Sequence, residues 1–430
     1  IRDLRMSRGL GDVYKRQKSY FMKNFKLMTQ NKYLLLIFSV CLCSCTSHPK
    51  FDASPLLDYC QVQIGKSLST LEDSTQMPRN ILPSRGERHW NCTPIHDWTS
   101  GFWPGILWYA YEHSHDAALK GQAARYTSAL YPVLDRKTDN HDLGFMMYCS
   151  LGNAYRLTGE RIYKEMLLRA ADSLATLFDE RVGTIHSWPG MKRQKGWPHN
   201  TIIDNMLNLE LLFWAAKNGG GKKLLYDIAL SHAEMTARNQ FRDDYSTCHV
   251  VVYDTIGGKR ISQLTHQGYA DVSLWARGQA WAIYGFTMCY RETGEPSFLD
   301  TARKAADIYL ERLPEDGVPY WDFDAPGIPN EPRDASAAAV VASALLELST
   351  YVKDKGKAAC YFDAATKMLE TLSSPAYLSR DTNDAFLLHS TGHKPQNSEI
   401  DVSIIYADYY YIEALTRLDR INNNHKVTGR

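Results

Sequence analysis

The chain has 430 residues, with 49 Lys and Arg against 48 Asp and Glu for a formal charge of +1. That balance excludes steering of a polyanion by bulk charge. Apolar residues at 44% and charged residues at 23% fit a soluble globular protein of one large domain or two ordinary ones.

Residues 1–21, beginning IRDLRMSRGLGDVYKRQKSY, resemble a translated cloning adaptor and are read as non-native upstream translation. From Met22 or Met28 the chain reads as a leader. Lys23, Lys26 and Lys32 form a basic segment, and Tyr33 to Leu42 an apolar one too short to span a bilayer. Leu42-Cys43-Ser44-Cys45 resembles a bacterial lipobox with Cys45 as the lipidated residue; a plain secretory signal cut nearby is the alternative. The expected divisions are a lipoprotein signal over 22–45, a tether over 46–54, a folded domain over 55–422 and a tail over 423–430. Nine Cys occur. Outside the leader they are Cys60, Cys92, Cys149, Cys248, Cys289 and Cys360, with no C-x-x-C pair, and they read mostly as buried free thiols.

From residue 55 onward helical periodicity dominates. It predicts helices over 55–72, 101–115, 120–135, 143–158, 160–179, 202–217, 221–238, 272–293, 296–313, 334–352, 356–373 and 402–420. A short hairpin is predicted within 248–262, CHVVVYDTIGGKRIS. Four segments repeat a polar-glycine turn followed by an Ala-rich helix, at 158–174, 218–234, 293–309 and 353–369. Gly at each turn is the expected helix stop. About six such hairpins close into a ring or run as an open solenoid; long loops rich in Trp, His and Asp favour a ring with its site at one mouth.

Two acids interrupt apolar helices. Asp142, in DNHDLGFMMYCS, precedes one, so it is either an N-cap or a chemical group. Asp204, in TIIDNMLNLELLFWA, lies within a run of Ile, Met and Leu, where a carboxylate must be paired or carry a raised pKa. Together they suit the acid/base pair of sugar chemistry. In HQGYADVSLWARGQAWAIYGF, Gln267, Trp275, Arg277, Gln279 and Trp281 combine fork donors, amides and ring faces. Arg277 and Trp281, four apart, share a helix face that suits a planar carboxylate and a sugar ring, or else a cation–π pair in the core. His249 is a lone His, ordinarily structural. Among the residues of HDWTSGFWPGILWYAYE, Trp108 and Tyr109 read as core, and Trp98 and Trp103 as pocket walls. The ten Trp and 26 Tyr suit flat-walled binding as well as an aromatic core. No G-x-S-x-G, H-E-x-x-H, Walker or dinucleotide motif occurs, which leaves serine, zinc and nucleotide chemistries poorly supported.

HDLGF at 141–145, IIDNMLNLELLFWA at 202–215, the run at 266–286, DGVPYWDFDAP at 316–326 and RDASAAAVVASALLEL at 333–348 resemble, in order, the unsaturated glucuronyl hydrolases, glycoside hydrolase family 88. The likeness extends over nearly all of 55–420. It implies an all-α fold, the (α/α)6 barrel, in agreement with about twelve helices. It implies Asp204 as general acid/base, Asp142 as a second essential carboxylate with His141 beside it, and His249, Gln267, Arg277 and Trp281 as substrate contacts. It also implies the reaction, hydration of the C4=C5 double bond of a terminal uronate left by a polysaccharide lyase. The segment LLHSTGHKPQNSEIDVS (387–403) matches a loop that meets the next sugar, where Ser390, His393 and Lys394 suit a sulfate, with a leaning to glycosaminoglycan disaccharides.

No metal or organic cofactor and no nucleic-acid partner is implied. A lipid-anchored enzyme of this kind is expected in the periplasm or at the outer membrane, beside its lyase. Three other readings remain: an unsaturated rhamnogalacturonyl hydrolase, expected to lack the HDLGF acid; a sugar epimerase, expected to present two His to the cavity; and a non-catalytic surface glycan-binding lipoprotein.

Overall fold

The computed structural model describes residues 51–423. The leader, Cys45, the tether through residue 50 and the tail from 424 lie outside the described residues. Helices in chain order are α1 (Ser54–Thr70), α2 (Phe102–Ser114), α3 (Ala117–Ser128), α4 (Leu143–Met147), α5 (Asn153–Thr158), α6 (Arg161–Ala175), α7 (Met191–Lys195), α8 (Asn205–Lys217), α9 (Lys222–Asn239), α10 (Ala276–Thr293), α11 (Pro296–Arg312), α12 (Ala335–Tyr351), α13 (Lys355–Leu372) and α14 (Ile405–Asn422). A single π turn, Tyr148–Gly152, joins α4 to α5, so the two act as one bent helix.

Two kinds of helix alternate, and their sequences explain why. Helix α6, RIYKEMLLRAADSLA, buries Tyr163, Leu167, Ala170, Ala171 and Leu174, one stripe at helical spacing. Helices of this kind form the outer layer. Helix α12, ASAAAVVASALLELSTY, is buried on all sides from Ala335 to Leu348, and α14 from Ile405 to Leu418. A helix apolar all round belongs inside. The inner set is α2, α4–α5, α8, α10, α12 and α14; each packs on the next, and α14 returns to α2. Six inner and six outer helices make the (α/α)6 barrel that the family resemblance implies, in agreement with the twelve periodic segments.

The strands lie at the loop-bearing end. They are β1 (Gln76–Ile81), β2 (Asn91–Pro94), β3 (Phe178–Asp179), β4 (Thr184–Ile185), β5 (His199–Ile202), β6 (Val250–Tyr253), β7 (Arg260–Leu264) and β8 (Ser403–Ile404). The predicted hairpin is β6–β7, extended by β5 on its other side, all antiparallel. β1 joins β2 to β8, linking the start of the domain to its end.

Several boundaries differ from expectation for local reasons. The helix expected from 202 starts at Asn205, because Ile202 pairs with Val250 in the sheet. That expected from 272 starts at Ala276, after Trp275 in extended conformation. That expected over 120–135 ends at Ser128, and Tyr131–Asp135 forms a 3₁₀ turn around Pro132. Gly159, Gly219 and Gly294 do take positive φ at their helix stops. The fourth turn departs: α12 stops at extended Val352, and Gly356 lies inside α13, capped instead by Asp354 through the Lys357 N–H at 3.0 Å. The six Cys named above are free; Cys60, Cys149, Cys248 and Cys289 are buried, while Cys92 and Cys360 are exposed.

Where inner helices touch, glycine makes the contact. A Cβ on Gly101 would overlap the Met146 backbone, whereas one on Gly121, in outer helix α3, would meet nothing within 4 Å. Gly101→Ala is expected to cost on the order of 1–3 kcal/mol. Gly121→Ala is expected to stabilise by about 0.4–1 kcal/mol. Thermal unfolding of the two variants checks both; shifts of the same sign would refute the close approach at Gly101.

Candidate active site

The N-terminal ends of the inner helices surround a cavity of about 310 Å³. Asp142 and Asp204 both line it, each as the residue just before an inner helix, α4 and α8. Neither carboxylate caps its helix. The capping reading of Asp142 therefore fails, and Asp204 lies not within a helix but on the turn between β5 and α8.

Asp204 keeps 13% of its side-chain surface open. Its Oδ2 is buried without a hydrogen-bond partner, and the nearest group is His249 Nε2 at 3.7 Å. Burial first, and the Asp142 charge second, push the Asp204 pKa up to about 7; Arg277 pulls the other way. Asp142 is likewise raised to about 7 by burial, opposed by the Asn140 and Asn208 side chains. The two acids titrate as a pair.

The histidines beside them are neutral. His141 is fully buried, which depresses its pKa to about 3, and its Nε2 lies 3.4 Å from Asp142 Oδ1. His249 is depressed further, by burial and then by His266 and Arg277. Its Nδ1 accepts the backbone N–H groups of His266 and Gln267, each at 3.2 Å. An accepting ring nitrogen bears no proton, so the proton sits on Nε2 and faces Asp204.

The walls come from distant segments. Trp98 packs against Phe102, Phe145 and Tyr406 and lines the cavity. Gln267 lines it and donates from Nε2 to the Gly392 carbonyl at 3.2 Å. Arg277 lines it over the Trp275 ring, 4.7 Å from the centroid. Its Nη1 donates to Asp334 and to the Thr391 carbonyl, and its Nη2 to the Gly392 carbonyl, each at 2.6 Å. Much of its fork thus ties the 391–392 loop to α10 and α12. His393 also lines the cavity, and both its ring nitrogens are buried without partners.

His141 and His249, expected as substrate contacts, stand behind the two acids and off the cavity wall, and four further expected residues are elsewhere. Trp281 is 1% exposed and packs edge-on against Phe145 and Tyr410 in the barrel core. It follows Arg277 by four residues, one turn deeper along α10, and Phe145 covers it. Trp103 is buried against Tyr126. Ser390 is buried where its backbone pairs with Val402. Lys394 is ion-paired with Glu331 and sits over the Trp321 ring, off the cavity wall. Of the three residues expected to meet a sulfate, His393 alone reaches the cavity.

Other wall residues escape sequence reasoning. Trp188 contacts the rings of His141, His249 and His266 at centroid distances of 6.5, 5.8 and 5.3 Å. Its signal is weak: a Trp before Pro-Gly in a loop. Arg79 and Glu399 line the cavity as an ion pair at 3.0 Å, and Asn140, His266 and Tyr406 complete it. A larger hollow of about 610 Å³ lies at the C-terminal ends of α5, α8 and α10. Its Arg156, Lys217 and Arg291 are paired with Glu112, Glu292 and Glu347. Among the described residues no group of three His, Cys, Asp or Glu is placed to hold a metal ion.

A pair of buried acids, each beside a neutral imidazole between aromatic walls, suits proton transfer to and from an uncharged ring. No protein-family model matches the chain. It is 45% identical over 372 residues to an unsaturated glucuronyl hydrolase of Formosa agariphila, covering 82% of this chain and 90% of that one. It is 38% identical over 331 residues to one from Bacillus sp. strain GL1, covering 75% and 86%. A solved unsaturated glucuronyl hydrolase described as specific for heparin superposes with a TM-score of 0.81 at 42% identity, covering 87% and 99%. With such identity over most of its length, the chain belongs to the unsaturated glucuronyl hydrolases, glycosidases of the (α/α)6-barrel class.

Proposed function

We propose that this enzyme removes the terminal 4,5-unsaturated uronic acid from lyase-generated oligosaccharides, with Asp204 as general acid and then general base. The observation that carries this is Asp204 Oδ2, an unpartnered carboxylate oxygen in the cavity, on a group whose pKa is raised to about 7. A group that must give a proton near neutrality needs such a value.

The steps follow from the substrate's vinyl ether. Asp204 delivers its proton to C4, and positive charge develops at C5 and the ring oxygen. The carboxylate so formed takes a proton from water, whose oxygen bonds to C5, and Asp204 is protonated again. The hemiketal at C5 opens to a ketone, and the hemiacetal left at C1 releases the next sugar. Asp142 lies beside the uronate ring, and its charge favours retention of the proton on Asp204. Trp98 and Trp188 offer ring faces to the sugars, and Gln267, Arg277 and His393 offer donors, while His141 and His249 stand behind the two acids. Trp281, Ser390 and Lys394 act at most through the residues that they support.

Glycosaminoglycan disaccharides are the favoured substrates. A relative at 35% identity in Streptococcus pneumoniae is described as an unsaturated chondroitin disaccharide hydrolase, and the heparin-specific enzyme is similar over nearly its whole length. A Streptococcus agalactiae enzyme solved with dGlcA-GalNAc6S is 29% identical. Absorbance near 235 nm, which reports the conjugated double bond, should decay with wild-type protein on unsaturated chondroitin, hyaluronan or heparin disaccharides. Asp204→Asn and Asp142→Asn should each slow this by about 10²–10⁴-fold. Full turnover in Asp204→Asn would sink the assignment. Turnover of the wild type should decline as pH rises past about 7, where Asp204 loses its proton.

The raised pKa also has a stability sign. The folded Asp204 holds a proton that the unfolded chain releases above its ordinary value of 3.8. Its ionised form therefore opposes folding increasingly as pH rises through about 4 to 7. Asp204→Asn removes that cost and should stabilise the protein by on the order of 1–3 kcal/mol at pH 8, with little gain at pH 4. Thermal unfolding at the two pH values measures it; an equal shift at both would contradict the linkage.

We infer from the leader that Cys45 carries a lipid and holds the enzyme in the periplasm or at the outer membrane, beside the lyase that supplies its substrate. Cys45→Ser is expected to move the protein from the membrane to the soluble fraction in cell fractionation; continued membrane association would argue against lipidation.

A further inference from the structure

We propose that Asn208 is a positioning residue for the reaction: it caps α4 in place of Asp142 and sets the His141 ring with its Nε2–H toward Asp142. The proposal rests on reading Asp142 as part of the reacting site.

The first N–H groups of α4 have no partners within the helix. The residue before a helix ordinarily supplies one, and an Asp there would normally do so. Asp142 does not. The Phe145 N–H donates instead to Asn208 Oδ1, across from α8, at 2.7 Å. Gly144 makes that reach possible, since a Cβ there would lie 2.5 Å from both the Cα and the Oδ1 of Asn208. The cap thus comes from a neighbouring helix, and the Asp142 carboxylate, bonded by the Asn140 and Asn208 side chains, lines the cavity instead.

The same bond orients the Asn208 amide. With Oδ1 accepting, Nδ2 is the donor, and it lies 3.4 Å from His141 Nδ1. A neutral imidazole that accepts at Nδ1 carries its proton at Nε2. The groups around Nε2 agree. Asp142 Oδ1 is 3.4 Å away, and the Asn205 side chain lies beside the ring. The Asn205 amide donates to the Ile185 carbonyl at 3.3 Å and to Ser187 Oγ at 3.1 Å, which leaves its own Oδ1 unpartnered. The Asp142 carboxylate beside Nε2 is an acceptor. His249 stands to Asp204 as His141 stands to Asp142, but backbone N–H groups fix its ring. Asn208 does for one acid what the 266–267 backbone does for the other.

The test is Asn208→Asp, which keeps size and the acceptor for Phe145 but withdraws the donor. In long-range ¹H–¹⁵N spectra, with His141 assigned by difference against His141→Gln, the wild-type ring should be protonated at Nε2 and bare at Nδ1. In Asn208→Asp, Nδ1 should gain a proton. Its kcat should fall at least about tenfold with KM held within about threefold, since the change acts on the proton-transfer machinery rather than on binding. Asn208→Ala should lose stability as well as kcat, because it removes the cap. A wild-type ring protonated at Nδ1, or unchanged kcat in Asn208→Asp, overturns the proposal. The wild-type spectrum decides the tautomer even if Asn208→Asp does not fold. Full turnover in Asp142→Asn would sink the role given to Asp142 while leaving the spectrum as expected, so the two failures are distinct.

Discussion

The closeness of the inner helices is the constraint on which the other features depend. Gly101 meets the Met146 backbone, Gly105 the Cys149 carbonyl and the Tyr409 ring, Gly144 the Asn208 side chain and Gly285 the Met206 side chain. At each point a Cβ would overlap its neighbour. Drawn this tight, the ring of six helices leaves room for little but interlocking rings, and Phe102, Phe145, Trp281, Tyr409 and Tyr410 fill it. The cavity bearing the two acids therefore sits where the helices begin and their loops diverge.

Two electrostatic effects compete at those helix starts. The helix dipole favours a negative charge there, by about 0.3–1 kcal/mol and up to about 2 when partly buried. Withdrawal from water disfavours it by several kcal/mol per ion. Burial wins at both acids, and both pKa values rise. The same low-dielectric setting keeps His186, His199 and His232 neutral behind the cavity, each depressed chiefly by burial. With the imidazoles neutral, burial dominates the protonation of both acids, joined at Asp204 by the Asp142 charge and opposed there by Arg277.

Much of this was legible in the sequence, and the rest was not for physical reasons. Twelve periodic segments matched the helix count but left ring and open solenoid both possible; the barrel followed from the family resemblance. The two acids stood out because carboxylates before or within apolar runs are costly unless they act or are paired. Trp281 misled because a shared helix face says nothing of depth, and one turn separates the mouth from the core. Lys394 read as a sulfate contact because its partner, Glu331, lies in another loop. Asn208 gave no signal at all: its role arises from Gly144 and Phe145 on another helix, and only the packed ring brings them together.

The sheet that joins β1 to β8 has a bearing on biosynthesis. Arg79, on β1, and Glu399, just before β8, line one cavity and pair across it, although 320 positions separate them in the chain. Such a contact has very high sequence separation, and its loop-closure cost must be met before it stabilises anything. While the ribosome is still making α12, neither the 391–399 loop nor α14 exists to close the ring. A nascent chain can form its early hairpins but holds no finished cavity. Catalytic competence is acquired all at once, after the last helix has emerged.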